Sequence, residues 1–259
     1  MNDRKLLTEC AAEFVGTALL VFFGVGCVAA LKLTGTSYSQ WEVSIVWGLG
    51  VAIAIYCTAG ISGAHLNPAI TIAFATNTGF SKKKIIPYIV AQTLGAFIAA
   101  GLVYYMYFEA LTIYEDKYEI VRGISTGLDT ASVFTTYAKP YVTTEVAFIV
   151  ELTITAILTF CILAINDDKN GTPNGAIGPL LIGVVIAIIG GSVGPLTGFA
   201  MNPARDIGPK MFLYLNDWGT VVFTGNRTIP YFLVPLLAPV VGAVIGGWAY
   251  IKIKKANIS

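Results

Sequence analysis

Ser62-Gly-Ala-His-Leu-Asn-Pro-Ala69 and Thr197-Gly-Phe-Ala-Met-Asn-Pro-Ala204 are two versions of one phrase, and the architecture follows from what they can form. Asn is a favoured N-cap and Pro a favoured first helical residue, so a helix is predicted to start at Pro68 and another at Pro203. The apolar pieces that hold them, 62–75 and 197–215, are too short to cross a bilayer alone and are expected as half-helices. Upstream, Glu13-Phe-Val-Gly-Thr-Ala-Leu-Leu-Val-Phe22 aligns with Glu151-Leu-Thr-Ile-Thr-Ala-Ile-Leu-Thr-Phe160. Asn67 follows Glu13 by 54 residues and Asn202 follows Glu151 by 51, so the chain carries one unit twice.

Around these phrases the composition is that of a membrane body. The 259 residues are 56% hydrophobic and 12% charged, against about 25% charged in soluble domains. Six stretches approach the length of about 20 apolar residues that a membrane helix needs: 9–33, 41–59, 85–108, 144–165, 177–190 with its flanks, and 231–253. The first is too long for a removed signal peptide. The expected fold is an all-α membrane protein of six transmembrane helices and two half-helices. Its first repeat is 1–138 and its second is 139–259, with a long polar external loop at 109–143 joining the two halves. Three spans per repeat is an odd number, so the second copy must enter from the other side, and an inverted pair brings the half-helices tip to tip near the midplane. Arg4, Lys5, Lys82, Lys83, Lys84, Lys169, Lys252, Lys254 and Lys255 fall on one side of this arrangement, which places both termini in the cytoplasm.

The same composition narrows the chemistry. A net charge of +1 offers no field for nucleic acid. Cys10, Cys27, Cys57 and Cys161 stand singly in apolar runs, with no metal-site spacing, and His65 is the one histidine, so no metal or cofactor is expected and an enzyme is disfavoured. Broken helix at membrane depth is tolerated where it lines a wet cavity, which makes a pore the expected function. If each Asn carbonyl caps its own helix, the amides of Asn67 and Asn202 are left as donors facing one another across the lumen. The residues ahead of each half-helix are expected to run extended, with the carbonyls of Gly63, Ala64, His65, Leu66, Gly198, Phe199, Ala200 and Met201 as a line of acceptors. Helix starts carry partial positive charge and repel cations. Arg205 in a membrane half-helix is expected in a wet cavity or paired, and Asp206 as a structural anchor. Glu13 and Glu151 read either as a proton relay or as structural acids, and their repetition favours the second.

Ala12-Glu13-Phe14, both Asn-Pro-Ala phrases and Gly198-Phe-Ala-Met-Asn-Pro-Ala-Arg-Asp206 resemble the aquaporin (major intrinsic protein) superfamily over essentially the whole chain. The segments 22–31 and 194–206 are most similar to its aquaglyceroporin branch, that of the bacterial glycerol facilitators. The resemblance implies one pore per subunit, a homotetramer in the cell membrane, and a selectivity filter at Trp47, Gly190, Phe199 and Arg205. In water-selective relatives a histidine takes the place of Gly190, and His65 is the only histidine here. Tyr107, Asp206, Lys210, Pro235 and Leu236 are of the glycerol-channel type, and the family's acids at Glu13 and Glu151 accept from the backbone leading into the half-helices. An apolar corner of Trp47 and Phe199 opposite Arg205 suits a molecule with one carbon edge and one hydroxyl edge. The expectation is a passive channel for glycerol, other small polyols or urea, with some water. A water-selective pore and an ion-coupled transporter using Glu13 and Glu151 are the alternatives.

Overall fold

The computed structural model describes residues 3–170 and 177–256. The outermost residues of both expected repeats, and therefore the two chain ends, lie outside the described residues. Among the described residues eleven α-helices follow one another: α1 (Asp3–Leu33), α2 (Gln40–Ser62), α3 (Pro68–Asn77), α4 (Ile85–Met106), α5 (Phe108–Lys117), α6 (Leu128–Ala131), α7 (Thr144–Ile165), α8 (Gly178–Thr197), α9 (Pro203–Leu213), α10 (Val221–Thr224) and α11 (Leu233–Ala256). Six of them, α1, α2, α4, α7, α8 and α11, are long and apolar enough to cross a membrane. The helices α3 and α9 are the half-helices, each with Asn as N-cap and Pro in its first turn. Local rules also set other starts. Ser39 and Glu42 close a capping box ahead of α2, and Thr143 caps α7.

Within each half, one long helix packs on the other two: α1 on α2 and α4, α7 on α8 and α11. Between halves the contacts exchange partners, with α2 against α8, α4 against α9 and α11 against α3. Glycine makes the approach possible. A Cβ on Gly48 would run into the Gly183 carbonyl, and one on Gly183 into the Gly48 carbonyl, so the backbones of α2 and α8 touch reciprocally about a two-fold axis. The same relation recurs where Gly95 lies on the Phe14 carbonyl and Gly242 on that of Leu152. Outward, Leu49, Ile53, Val90, Leu94, Ile149, Leu237 and Val241 are exposed, an apolar belt that a bilayer can solvate.

Ion pairs tie the two ends of the bundle. On one face Lys84 meets Glu9 at 2.5 Å, and Lys254 and Tyr250 each reach Asp167 at 2.6 Å. The hydrogen bonds from Lys254 and Tyr250 hold the Asp167 carboxyl at about 2, so this link between α7 and α11 stays charged well below neutral pH. On the opposite face Lys32 meets Asp129 at 2.6 Å. The stretch expected as a polar external loop differs from that reading, because it contains α5 and α6 and has its own packed centre. The Arg122 guanidinium lies 3.9 Å over the Trp218 ring and pairs with Glu115 at 2.9 Å, while the Trp218 indole donates to the Gly127 carbonyl. Composition hid this order, since the segment's partner Trp218 stands far along the chain.

Candidate functional site

Each half-helix is reached by an arm that departs from the extended backbone expected for it. The helices α2 and α8 end at Gly63 (φ 87°) and Gly198 (φ 81°), both left-handed. Beyond them Ala64 (φ 49°), Leu66 (φ 50°), Phe199 (φ 39°) and Met201 (φ 51°) are also left-handed, which costs a non-glycine residue about 1–3 kcal/mol. Two buried carboxylates hold these turns. Glu13 accepts from Ser62 Oγ (2.6 Å), His65 N (2.9 Å), Leu66 N (2.7 Å) and Gln92 Nε2 (2.7 Å). Glu151 accepts from Thr197 Oγ1 (2.6 Å), Ala200 N (2.9 Å) and Met201 N (2.9 Å). Backbone donors that would be orphaned in a low-dielectric interior thus find charged acceptors, which make the stronger kind of hydrogen bond.

The two Asn-Pro-Ala turns interlock. Asn67 Oδ1 caps Ala69 N and Asn202 Oδ1 caps Ala204 N, as the capping logic requires. Their amides do not simply face each other as free donors. Asn67 Nδ2 donates to the Met201 carbonyl and Asn202 Nδ2 to the Leu66 carbonyl, both at 2.8 Å. Each amide therefore crosses to the other arm with one hydrogen and keeps a second. The carbonyls of Leu66 and Met201 are engaged in this crossing.

Between the halves runs one cavity of about 260 Å³, from Asn166 and Gly178 at one end, past Asn67 and Asn202, to Trp47, Phe199 and Arg205 at the other. Its lining includes the arms at Gly63, Ala64, His65, Leu66, Phe199, Ala200 and Met201. Apolar side chains including Leu20, Val51, Ile55, Leu158, Ile182 and Ile186 line it as well. Gly198 and Gly190 are not among the lining residues. Gly190 stands behind Phe199, where a Cβ would lie 3.0 Å from Phe199 Cε2 and 2.6 Å from Ser44 Oγ, so its missing side chain makes room for the ring. The His65 ring packs among Phe74, Phe80 and Tyr88 with Nδ1 3.2 Å from Thr71 Oγ1, and its part in the lining is therefore that of the arm.

At the far end the Arg205 guanidinium lies 4.3 Å over the Trp47 ring, and Trp47 meets Phe199 edge to face at 6.3 Å. Arg205 Nη1 donates to the Phe134 carbonyl at 3.4 Å. Asp206 turns away from Arg205 and pairs with Lys210 at 2.5 Å, both side chains fully buried. It also accepts from Thr136 N (2.9 Å), Thr136 Oγ1 (2.6 Å) and Thr135 Oγ1 (2.7 Å). The segment 134–136 is thereby pinned to α9 beside the arginine. Tyr107 sits at the α4–α5 junction, and Pro235 and Leu236 lie near the start of α11. Sequence reasoning missed Phe134, Thr135, Thr136 and Gln92. Gln92 carried a usable signal, being a polar residue inside a span. The others sit in a loop with no local pattern.

A cavity enclosed by two inverted halves, with a broken helix entering it from each, defines a membrane channel. The sequence profile of the family described as Major intrinsic protein matches residues 1–250. The chain belongs to the major intrinsic protein family. It is 59% identical over 245 residues to the glycerol uptake facilitator protein of Escherichia coli (strain K12), covering 95% of this chain and 87% of that one. It is 52% identical over 250 residues to the propanediol uptake facilitator PduF of Citrobacter freundii, covering 96% of this chain and 93% of that one. The X-ray structure of the aquaglyceroporin from Plasmodium falciparum superposes with a TM-score of 0.82 at 32% identity, over 98% of this chain and all of that chain. These relatives are facilitators and channels rather than enzymes.

Proposed function

We propose that the chain is a passive channel for glycerol and related small neutral polyols, which also passes some water and excludes ions and protons. The observation that carries this reading is the mixed lining of the cavity: the two backbone arms and the Asn67 and Asn202 amides together with aliphatic side chains, and Arg205 against Trp47 at one end. Stripping a hydroxyl of water costs about 1–3 kcal/mol without replacement partners. The arm carbonyls of Gly63, Ala64 and His65, with Phe199 and Ala200, supply acceptors, while the second amide hydrogens of Asn67 and Asn202 supply donors. Trp47 and Phe199 take the carbon edge of the solute and Arg205 its hydroxyls, with Gly190 leaving the space that the ring needs. The N-termini of α3 and α9 and the Arg205 charge oppose cations. Glu13 and Glu151 act as structural acids, since the arm donors occupy their oxygens, and Asp206 anchors the filter loop. The names of the glycerol and propanediol facilitators agree in solute class. Lysine placement supports cytoplasmic termini in a plasma membrane, family resemblance supports a homotetramer within the lipid, and the internal repeat supports a first unit of 1–138 and a second of 139–259.

Stopped-flow light scattering on proteoliposomes tests the proposal. Glycerol entry well above the lipid background, and unchanged by an imposed proton gradient, is the expected result. Entry that follows the gradient would mean coupled transport, and water flux without glycerol flux would mean a water-selective pore. Gly190→His should slow glycerol by at least about tenfold, and water by less, because the imidazole must share the space of the Phe199 ring. Equal slowing of both solutes would remove Gly190 from the filter.

A further inference from the structure

Resting on the filter reading above, we infer that Gly194 and Gln40, neither of which lines the cavity, set the width of the filter by seating the Phe199 ring from behind. Gly190 and Gly194 lie one turn apart on α8, and both face this ring. A Cβ on Gly194 would stand 2.7 Å from Phe199 Cδ1 and 2.7 Å from Gln40 Nε2, closer than real Cβ atoms approach anything. The ring therefore rests flush on glycine backbone and has no room to retreat into α8.

Gln40 closes the remaining side of the seat. Its Nε2 donates to the Gly190 carbonyl (3.0 Å) and to Ser44 Oγ (3.3 Å), and Ser44 Oγ in turn donates to the Gln40 carbonyl (2.6 Å). The amide is thus fixed between the start of α2 and the glycine turn of α8. The Phe199 backbone cannot yield either, because its left-handed turn (φ 39°) is followed directly by the two amides that Glu151 holds. A methyl group added at 194 can displace the ring in one direction only, into the lumen toward Trp47 and Arg205. Gly194 is helical with negative φ, which alanine can adopt, but Pro195 follows it and a Cβ ahead of proline crowds the proline ring, so the Gly194→Ala/Phe199→Ala pair is needed to separate that backbone cost from the push on the Phe199 ring. Removing the Gln40 side chain has the opposite sense, since it opens space behind the ring.

The test compares wild type, Gly194→Ala, Gln40→Ala, Phe199→Ala and the Gly194→Ala/Phe199→Ala pair in proteoliposomes, with water, glycerol and the five-carbon polyol ribitol as probes. Gly194→Ala is expected to lower glycerol permeability about tenfold and ribitol further, with water reduced less, since one methylene of misfit in a pocket is worth about that factor. In the Phe199→Ala background the same alanine should have no effect, because the ring it pushes is gone. Gln40→Ala should raise ribitol entry relative to glycerol. A wild-type glycerol-to-water ratio in Gly194→Ala, the same loss with and without the Phe199 ring, or an unchanged ribitol-to-glycerol ratio in Gln40→Ala would each overturn the inference while leaving the channel assignment intact. A wild-type protein that fails to pass glycerol would overturn both.

Discussion

Lys210→Met is expected to destabilise the protein by about 3–5 kcal/mol, the range found when one partner of a buried ion pair is removed. Lys210 and Asp206 meet at 2.5 Å with neither side chain exposed, so the methionine fills the space and leaves a carboxylate uncompensated. Lys210 Nζ also donates to Thr135 Oγ1 at 2.6 Å and to the Thr136 carbonyl at 3.3 Å, and both groups lose that donor. The damage should reach the filter, because 134–136 is the segment that offers the Phe134 carbonyl to Arg205. Thermal unfolding in detergent measures the loss, and polyol selectivity in proteoliposomes measures the disorder of the arginine. Asp206→Asn combined with Lys210→Met should recover part of the stability, since the double variant buries no lone charge. A single variant within about 1 kcal/mol of wild type would show that the pair matters little here.

The second large effect is expected from Glu13→Gln. All four partners of Glu13 are donors, and an amide keeps one acceptor oxygen. Whichever way it is turned, His65 N or Leu66 N then faces an NH₂ group. A buried donor left without an acceptor costs about 1–3 kcal/mol. The left-handed turns at Ala64 and Leu66 lose part of what holds them as well. Glycerol flux should fall at least about tenfold, with a thermal midpoint lowered by about 5 °C, on the scaling of a few degrees per kcal/mol for a chain of this size. Glu13→Gln with wild-type flux and midpoint would mean that the arm is held by its own packing. The change has no effect on cavity lining, so a loss of flux would report the arm's geometry and not a removed contact with solute.

Particular residues show where legibility in the sequence ends. Helix starts at Pro68 and Pro203 follow from capping, which acts within three residues, and the span 144–165 coincides with α7 because hydropathy and the Thr143 cap are both local signals. The sequence predicts extended arms because a run such as Gly-Ala-His-Leu contains no turn signal strong enough to announce three left-handed residues. That conformation is imposed by Glu13, which lies 49 to 53 positions away from the arm groups it binds. Asn67 and Asn202 were legible as donors, but their acceptors were not, since each lies in the opposite repeat, 134 and 136 positions away.

The number of spans, the two broken helices and their opposed entry can be read from the residues alone, because apolar length, capping and the parity of a repeat are properties of the chain read locally or counted along it. Which carbonyl each asparagine takes, how the Phe134 carbonyl comes to meet Arg205, and the closeness of Gly190 and Gly194 to the Phe199 ring emerge only once the chain has folded. Those relations join groups far apart in the chain, and they arise from the need to satisfy every buried polar atom and fill every gap once the two halves have closed on each other.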